Sequence, residues 1–263
     1  MNTAKENLQG NNGGDSAGTL FVIGIGPGGR DDRTHRAERA LASCDVVVGY
    51  SRYLDNVSDL TAGKEIISSG MTKEADRCRA ALQKAAAGKK VALVSSGDAG
   101  IYGMAGLALE LMKEENIKVR IEVIPGVSAA MAAAAQLGAP LMLDYANISL
   151  SDLLTPWELI RKRLEAAASA DFVTALYNPK SKKRVEQLAE AADIFRKHRP
   201  GSTPVGICTS VGYEGEERII ISNLDHFLEQ EIGMMTIIII GNSETYFDGA
   251  WMVTPRGYKG KRF

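Results

Sequence analysis

Four short apolar runs in the first half of the chain, at 19–24, 46–50, 91–95 and 119–124, are separated by longer stretches of helical character. Runs of this length and β-branched content read as strands, and the spacers are long enough for the crossovers that parallel strands require. A mostly parallel sheet packed with helices follows. Asp31 or Asp32 is placed to cap a helix whose apolar face is Ala37, Ala40, Leu41 and Cys44, and Thr72 to cap another that stops at Gly88.

Around Gly138-Ala139-Pro140 the pattern changes. Thr155 reads as an N-cap, Pro156 as the first helical residue and Glu158 as the partner in a capping box. Beyond it, strands at 172–177, 204–209, 218–222, 236–240 and 251–254 leave room for only two long helices, which implies antiparallel pairing. The expected architecture is α/β in two domains, 19–138 with a mostly parallel sheet and 139–258 with a mixed or antiparallel one. A ligand cleft is expected between them. Residues 1–18 read as a flexible polar tail and residues 259–263 as a basic tail.

With 263 residues, 45% of them apolar, the chain can fill an ordinary core. Its net charge of −1 excludes a general field for nucleic acid or an anionic membrane, so an anionic ligand must meet a local cluster of cations. No apolar run approaches the roughly 18 residues of a membrane span, and the opening residues lack the apolar core of a signal peptide. The cytoplasm is the expected compartment. Cys44, Cys78 and Cys208 are widely spaced and read as reduced packing thiols. With only His35, His198 and His226 besides, no metal site is expected.

Three glycine-bearing loops end predicted strands. Gly24-Ile-Gly26-Pro27-Gly28-Gly29 satisfies G-x-G-x-x-G, yet no acidic residue closes the second strand, so a dinucleotide is disfavoured. The loop either turns tightly without a ligand or brings its backbone close to one. Ser95-Ser-Gly97-Asp98-Ala-Gly100-Ile101-Tyr102-Gly103 puts glycines and a carboxylate at the carboxyl edge of the third predicted strand, where ligands of open α/β sheets bind. Asp98 could meet a ligand, cap the next helix, or do both. Pro125-Gly126-Val127-Ser128-Ala129 opens a helix whose amides could hold a carboxylate, and no phosphate-loop lysine stands nearby.

These loops, in this order, resemble those of the tetrapyrrole methylases, S-adenosylmethionine enzymes with two α/β domains. The resemblance spans residues 19–258. It extends through Val48-Gly-Tyr50, Ile66-Ile-Ser-Ser-Gly-Met-Thr-Lys-Glu74, Ile148-Ser-Leu-Ser-Asp-Leu-Leu-Thr-Pro-Trp157, Leu176-Tyr-Asn-Pro-Lys-Ser-Lys-Lys-Arg184, Ile240-Gly-Asn-Ser243 and Thr254-Pro-Arg-Gly-Tyr258. Within the family, these segments are similar to the branch of cobalamin biosynthesis that methylates C17 of a precorrin-3B or cobalt-factor III macrocycle and contracts the ring. A sibling acting at another ring carbon and a non-catalytic tetrapyrrole-binding protein are the alternatives.

The resemblance implies S-adenosylmethionine as methyl donor, a tetrapyrrole substrate and a homodimer; the charge balance and the lack of a long apolar run add the expectation of no nucleic-acid or membrane partner. It implies that Pro27, Gly97, Asp98, Ile101, Ser128, Ala129, Asn178, Met235 and Thr236 line the donor site. By position it directs attention to Tyr50, Ser69, Asp98 and Asp144 for catalysis. Tyr50 with Tyr53 either orients the macrocycle or packs at a strand end. Arg30, Arg33, Arg52, Lys73 and Arg77 are candidates for its carboxylates, or else belong to solvated faces. Two positions depart from the family pattern: Leu143 stands where a histidine is expected and Tyr213 where an arginine is.

Overall fold

A computed structural model describes residues 18–181 and 184–258, so most of both expected tails lies outside the described residues. Five strands, β1 (Thr19–Gly24), β2 (Val46–Tyr50), β3 (Glu65–Ser69), β4 (Lys90–Ser95) and β5 (Arg120–Ile124), form an all-parallel sheet in the order β3-β2-β4-β1-β5. The helices between them are α1 (His35–Ser43), α2 (Ser51–Asp55), α3 (Glu74–Ala86) and α4 (Ala105–Glu114). Alternation along the strands divides the core. Val46 and Val48 join Leu20, Val22 and Leu93 beneath Cys78, Leu82 and Ala85 of α3 and Ala108 and Leu111 of α4. Val47, Ile23 and Val94 face the other way, onto Ala37, Ala40 and Leu41 of α1. Helices on both faces explain the continuous apolar runs, because a parallel sheet covered on two sides has no wet face.

The second half contributes α5 (Ala129–Leu137), β6 (Gly138–Ala139), β7 (Tyr145–Ser149), α6 (Trp157–Ser169), β8 (Val173–Tyr177), α7 (Gln187–Arg196), β9 (Pro204–Thr209), β10 (Arg218–Asn223), β11 (Thr236–Ile240), β12 (Tyr246–Phe247) and β13 (Met252–Val253). The sheet β10-β9-β11-β8-β7 is antiparallel except for the parallel pair β7 and β8, and β12-β13-β6 form a small second sheet. One face of the larger sheet packs on α6 and α7 through Ile160, Leu164, Ala191 and Phe195. The other takes the alanines of α5. The described residues divide into two compact units, one holding 18–26 and 33–126, the other 27–32 and 127–258. The expected division was near residue 139. The observed one falls earlier because Ala130, Ala133 and Leu137 of α5 share a core with Val173, Ala175 and Cys208.

Several local expectations are corrected. Neither Asp31 nor Asp32 caps α1; both lie in a 3-10 turn, and the Thr34 hydroxyl accepts the Ala37 amide at 3.1 Å. Thr72 does not cap α3 either. It adopts φ 62°, its hydroxyl donates to the Met71 carbonyl at 2.6 Å, and Lys73 precedes the helix without a side-chain cap. α6 starts one residue later than expected, with Pro156 outside it at φ −55°, ψ 136°. The Pro156 carbonyl accepts from Ile160 at 3.3 Å, which makes this residue the cap. That shift moves Glu158 out of capping-box register, and its carboxylate pairs with Arg161 at 3.0 Å instead. The three cysteines are buried and free. No helix among the described residues is long and apolar enough to cross a membrane.

Candidate functional site

At the carboxyl edge of the parallel sheet the loops after β1, β4 and β5 touch backbone to backbone. The Gly26 amide donates to the Gly97 carbonyl at 3.1 Å, and the Gly97 amide to the Gly26 carbonyl at 2.6 Å. A Cβ on Gly126 would stand 2.2 Å from the Gly97 oxygen and 2.7 Å from the Gly24 carbonyl, so this approach is open only to glycine. Gly97 itself adopts φ 65°.

Asp98 holds the same junction with its side chain. Oδ1 accepts the Gly100 amide at 2.8 Å and Oδ2 the Gly126 amide at 3.0 Å. It does not cap α4, whose first turn is fixed otherwise: the Met104 amide donates to the Ser95 hydroxyl at 3.1 Å, and Ala105 to the Ala99 carbonyl at 3.0 Å. The loop so closed presents half-buried Ile101 and leaves Tyr102, at φ 53°, 54% exposed.

Two strands along, Tyr50 and Ser69 are register partners at the ends of β2 and β3. The Tyr50 ring meets that of Tyr53 edge to face at 5.1 Å at the end of β2, and both residues remain partly exposed. Ser69 Oγ accepts Arg77 Nε at 2.9 Å.

The remaining expected residues lie in the second unit, which also contains buried Pro27. Ser128 is buried and caps α5, accepting the Met131 amide at 3.3 Å, while the Tyr177 hydroxyl accepts from Ala130 at 3.0 Å. Ala129 is half-buried between them. Asn178 follows β8 at φ 51°; its Nδ2 donates to Ser149 Oγ at 3.0 Å and its carbonyl accepts Arg184 Nε at 3.1 Å. Thr236 is buried, bonded to the Thr209 hydroxyl at 2.9 Å and to the Gly233 amide at 3.1 Å, beside Met235, which is 37% exposed. The structure therefore groups Ser128 and Ala129 with Tyr177 and Asn178, a grouping in which Tyr177 was not anticipated. Asp144 and Leu143 stand exposed just before β7. Tyr213 packs where a Cβ on Gly28 would fall 2.6 Å from its ring, at a cleft of about 440 Å³ lined by Gly29, Arg30 and Glu217.

The proposed cations separate by environment. Arg33 makes a two-pronged pair with Asp59 at 3.0 and 3.1 Å, and Arg77 is 5% exposed, so neither is a free clamp for substrate carboxylates. Lys73 is exposed near Asp76 at 3.4 Å, Arg30 is exposed and Arg52 half-buried. Sequence gave no sign of the Arg77 arrangement, because an arginine on a helix reads as solvated.

The model of the tetrapyrrole (corrin/porphyrin) methylases matches residues 19–227. A cobalt-factor III methyltransferase of Priestia megaterium is 50% identical over 93% of this chain, which spans 46% of that protein. A probable cobalt-factor III C(17)-methyltransferase of Salmonella typhimurium is 48% identical over 91% of this chain and 99% of its own length. Among solved structures, the crystal structure of the methyltransferase CobJ superposes with a TM-score of 0.85 at 36% identity, covering 90% of this chain and 100% of that one. With the loops at the parallel-sheet edge and the sheet order now accounted for, this chain belongs to the tetrapyrrole methylase family.

Proposed function

We propose that this chain transfers a methyl group from S-adenosylmethionine to C17 of a precorrin-3B or cobalt-factor III tetrapyrrole and contracts the macrocycle, as a step of cobalamin biosynthesis. The observation that carries the reading is the match along 99% of the Salmonella relative, whose name specifies C17. The residues present suit the donor. Backbone groups between Gly97 and Ile101 lie beside a partly exposed apolar side chain, and Ala129 and Met235 offer more apolar surface of the kind an adenine ring needs.

In this reading Pro27, Gly97, Asp98, Ile101, Ser128, Ala129, Asn178, Met235 and Thr236 hold the donor, which when bound supplies an activated methyl group. Asp98 orders the loop by accepting two amides, and the aromatic pair Tyr50 and Tyr53 with Ser69 meets the macrocycle. Asp144 remains the carboxylate proposed for proton transfer where Leu143 has none to offer. Placement dominates, because alignment of donor methyl and ring carbon replaces a bimolecular encounter. The same reading includes a cytoplasmic homodimer, which sedimentation at several concentrations tests.

Calorimetry should show one donor site, and incubation with S-adenosylmethionine and cobalt-factor III should release S-adenosylhomocysteine. Tetrapyrrole binding without that release would make the chain a carrier and overturn the reading.

A further inference from the structure

Arg77 is a buried cation among neutral partners. It is 5% exposed, and among the described residues its guanidinium donates to Ser69 Oγ at 2.9 Å, to the Gly70 carbonyl at 2.9 Å and to Met104 Sδ at 3.5 Å. None of these is a carboxylate. Burying a charge with no counter-ion is unfavourable even when its hydrogen bonds are made. Its geometry is specific: the planar fork reaches from α3 to the end of β3 and to the residue that closes the loop after β4.

The bond to Ser69 also sets the direction of that hydroxyl. Because Arg77 Nε–H occupies a lone pair of Oγ, the hydroxyl hydrogen points elsewhere, and the adjacent cation makes it a stronger donor. Ser69 is partly exposed at the carboxyl edge, as the register partner of Tyr50. We infer that Arg77 is a positioning residue that fixes the Ser69 hydroxyl as a hydrogen-bond donor to a carboxylate of the tetrapyrrole. The inference rests on the function proposed above and assigns that substrate a contact. Toward the substrate Ser69 thereby acts as a hydrogen-bond donor and not as a base.

The test uses the full chain with cobalt-factor III as probe, its binding followed by absorbance in the absence of S-adenosylmethionine and its turnover by S-adenosylhomocysteine release. Ser69→Ala and Arg77→Met should each weaken tetrapyrrole binding about tenfold to a hundredfold, the range of a charge-assisted hydrogen bond. The KM for S-adenosylmethionine should not change. The double variant should bind no more weakly than the worse single one, because both remove one contact. Arg77→Lys, which keeps the charge but not the fork, should fall between Arg77→Met and the parent. If Arg77→Met does not fold, Ser69→Ala and Arg77→Lys carry the same comparison. Parent-like tetrapyrrole binding by Ser69→Ala, or additive losses in the double variant, would overturn the inference while leaving the methyltransferase reading in place. A parent chain that neither binds nor methylates cobalt-factor III or precorrin-3B would overturn the function itself, and this contact with it.

Discussion

The carboxylate of Asp98 holds the amide of Gly126 at 3.0 Å, joining the loop after β4 to the loop after β5. With Oδ1 on the Gly100 amide, both oxygens act as acceptors. Asp98→Asn turns one acceptor into a donor facing an N–H. We expect a loss of about 1–3 kcal/mol in chemical denaturation, the cost of one unsatisfied, opposed polar group, together with weaker S-adenosylmethionine binding. Stability equal to the parent would mean that the junction is not held by this side chain.

The glycine contacts predict a second outcome. Gly126→Ala places its Cβ 2.2 Å from the Gly97 oxygen, so the two loops must separate. A drop in thermal midpoint with loss of donor binding is expected. Gly97→Val is expected to destabilise in its own right, because φ 65° strains any β-branched residue by about 1–2 kcal/mol before a ligand is considered. Thermal melting of Gly97→Val without donor should already show that strain.

Arg199 anchors the second unit. Its side chain is fully buried, stacked on Phe195 at 4.8 Å, donating to the Phe172 carbonyl at 2.7 Å and to the Gly241 carbonyl, and lying 3.4 Å from Asp171. Burial pulls its pKa down and Asp171 opposes that. Arg199→Met should destabilise by about 1–3 kcal/mol, since it strands the buried carbonyls of Phe172 and Gly241. Denaturant unfolding reads the change, and a loss below about 1 kcal/mol would contradict the anchoring role.

Burial raises the thiols of Cys44 and Cys78 from about 9 to about 11, and that of Cys208 to about 12. The folded state thus keeps protons that the unfolded state releases. The associated stability is full below about pH 9 and is lost as pH rises through 11 and 12. Unfolding midpoints should decline over that alkaline window, and replacing Cys208 with Ala should flatten the decline. Alkylation of native protein near neutral pH should be slow at all three sites.

The strands buried on both faces were legible because nothing in them had to face water: β1, β2 and β4 are continuous apolar runs. β3 escaped notice for the opposite reason. It lies at the sheet edge, Glu65, Ile66 and Ser68 are exposed, and its composition resembles a loop. β7 is likewise an edge strand. The cap of α1 was misplaced because Thr34 competes with Asp31 and Asp32, and those of α3 and α6 because neither helix start carries a side-chain cap. The strand-end glycines were legible as close backbone approach. That they approach one another, and that Asp98 locks them, depends on pairings between distant segments that no local pattern carries.

The proposed reaction delivers the methyl group to C17 and to no other ring carbon. Incubation with S-adenosylmethionine carrying an isotopically labelled methyl group, followed by NMR of the tetrapyrrole product, tests it directly. The label should appear on C17, as a quaternary carbon, in a contracted macrocycle, with methylation and contraction arising together. Label at any other ring carbon, or at C17 of an uncontracted ring, would contradict the account.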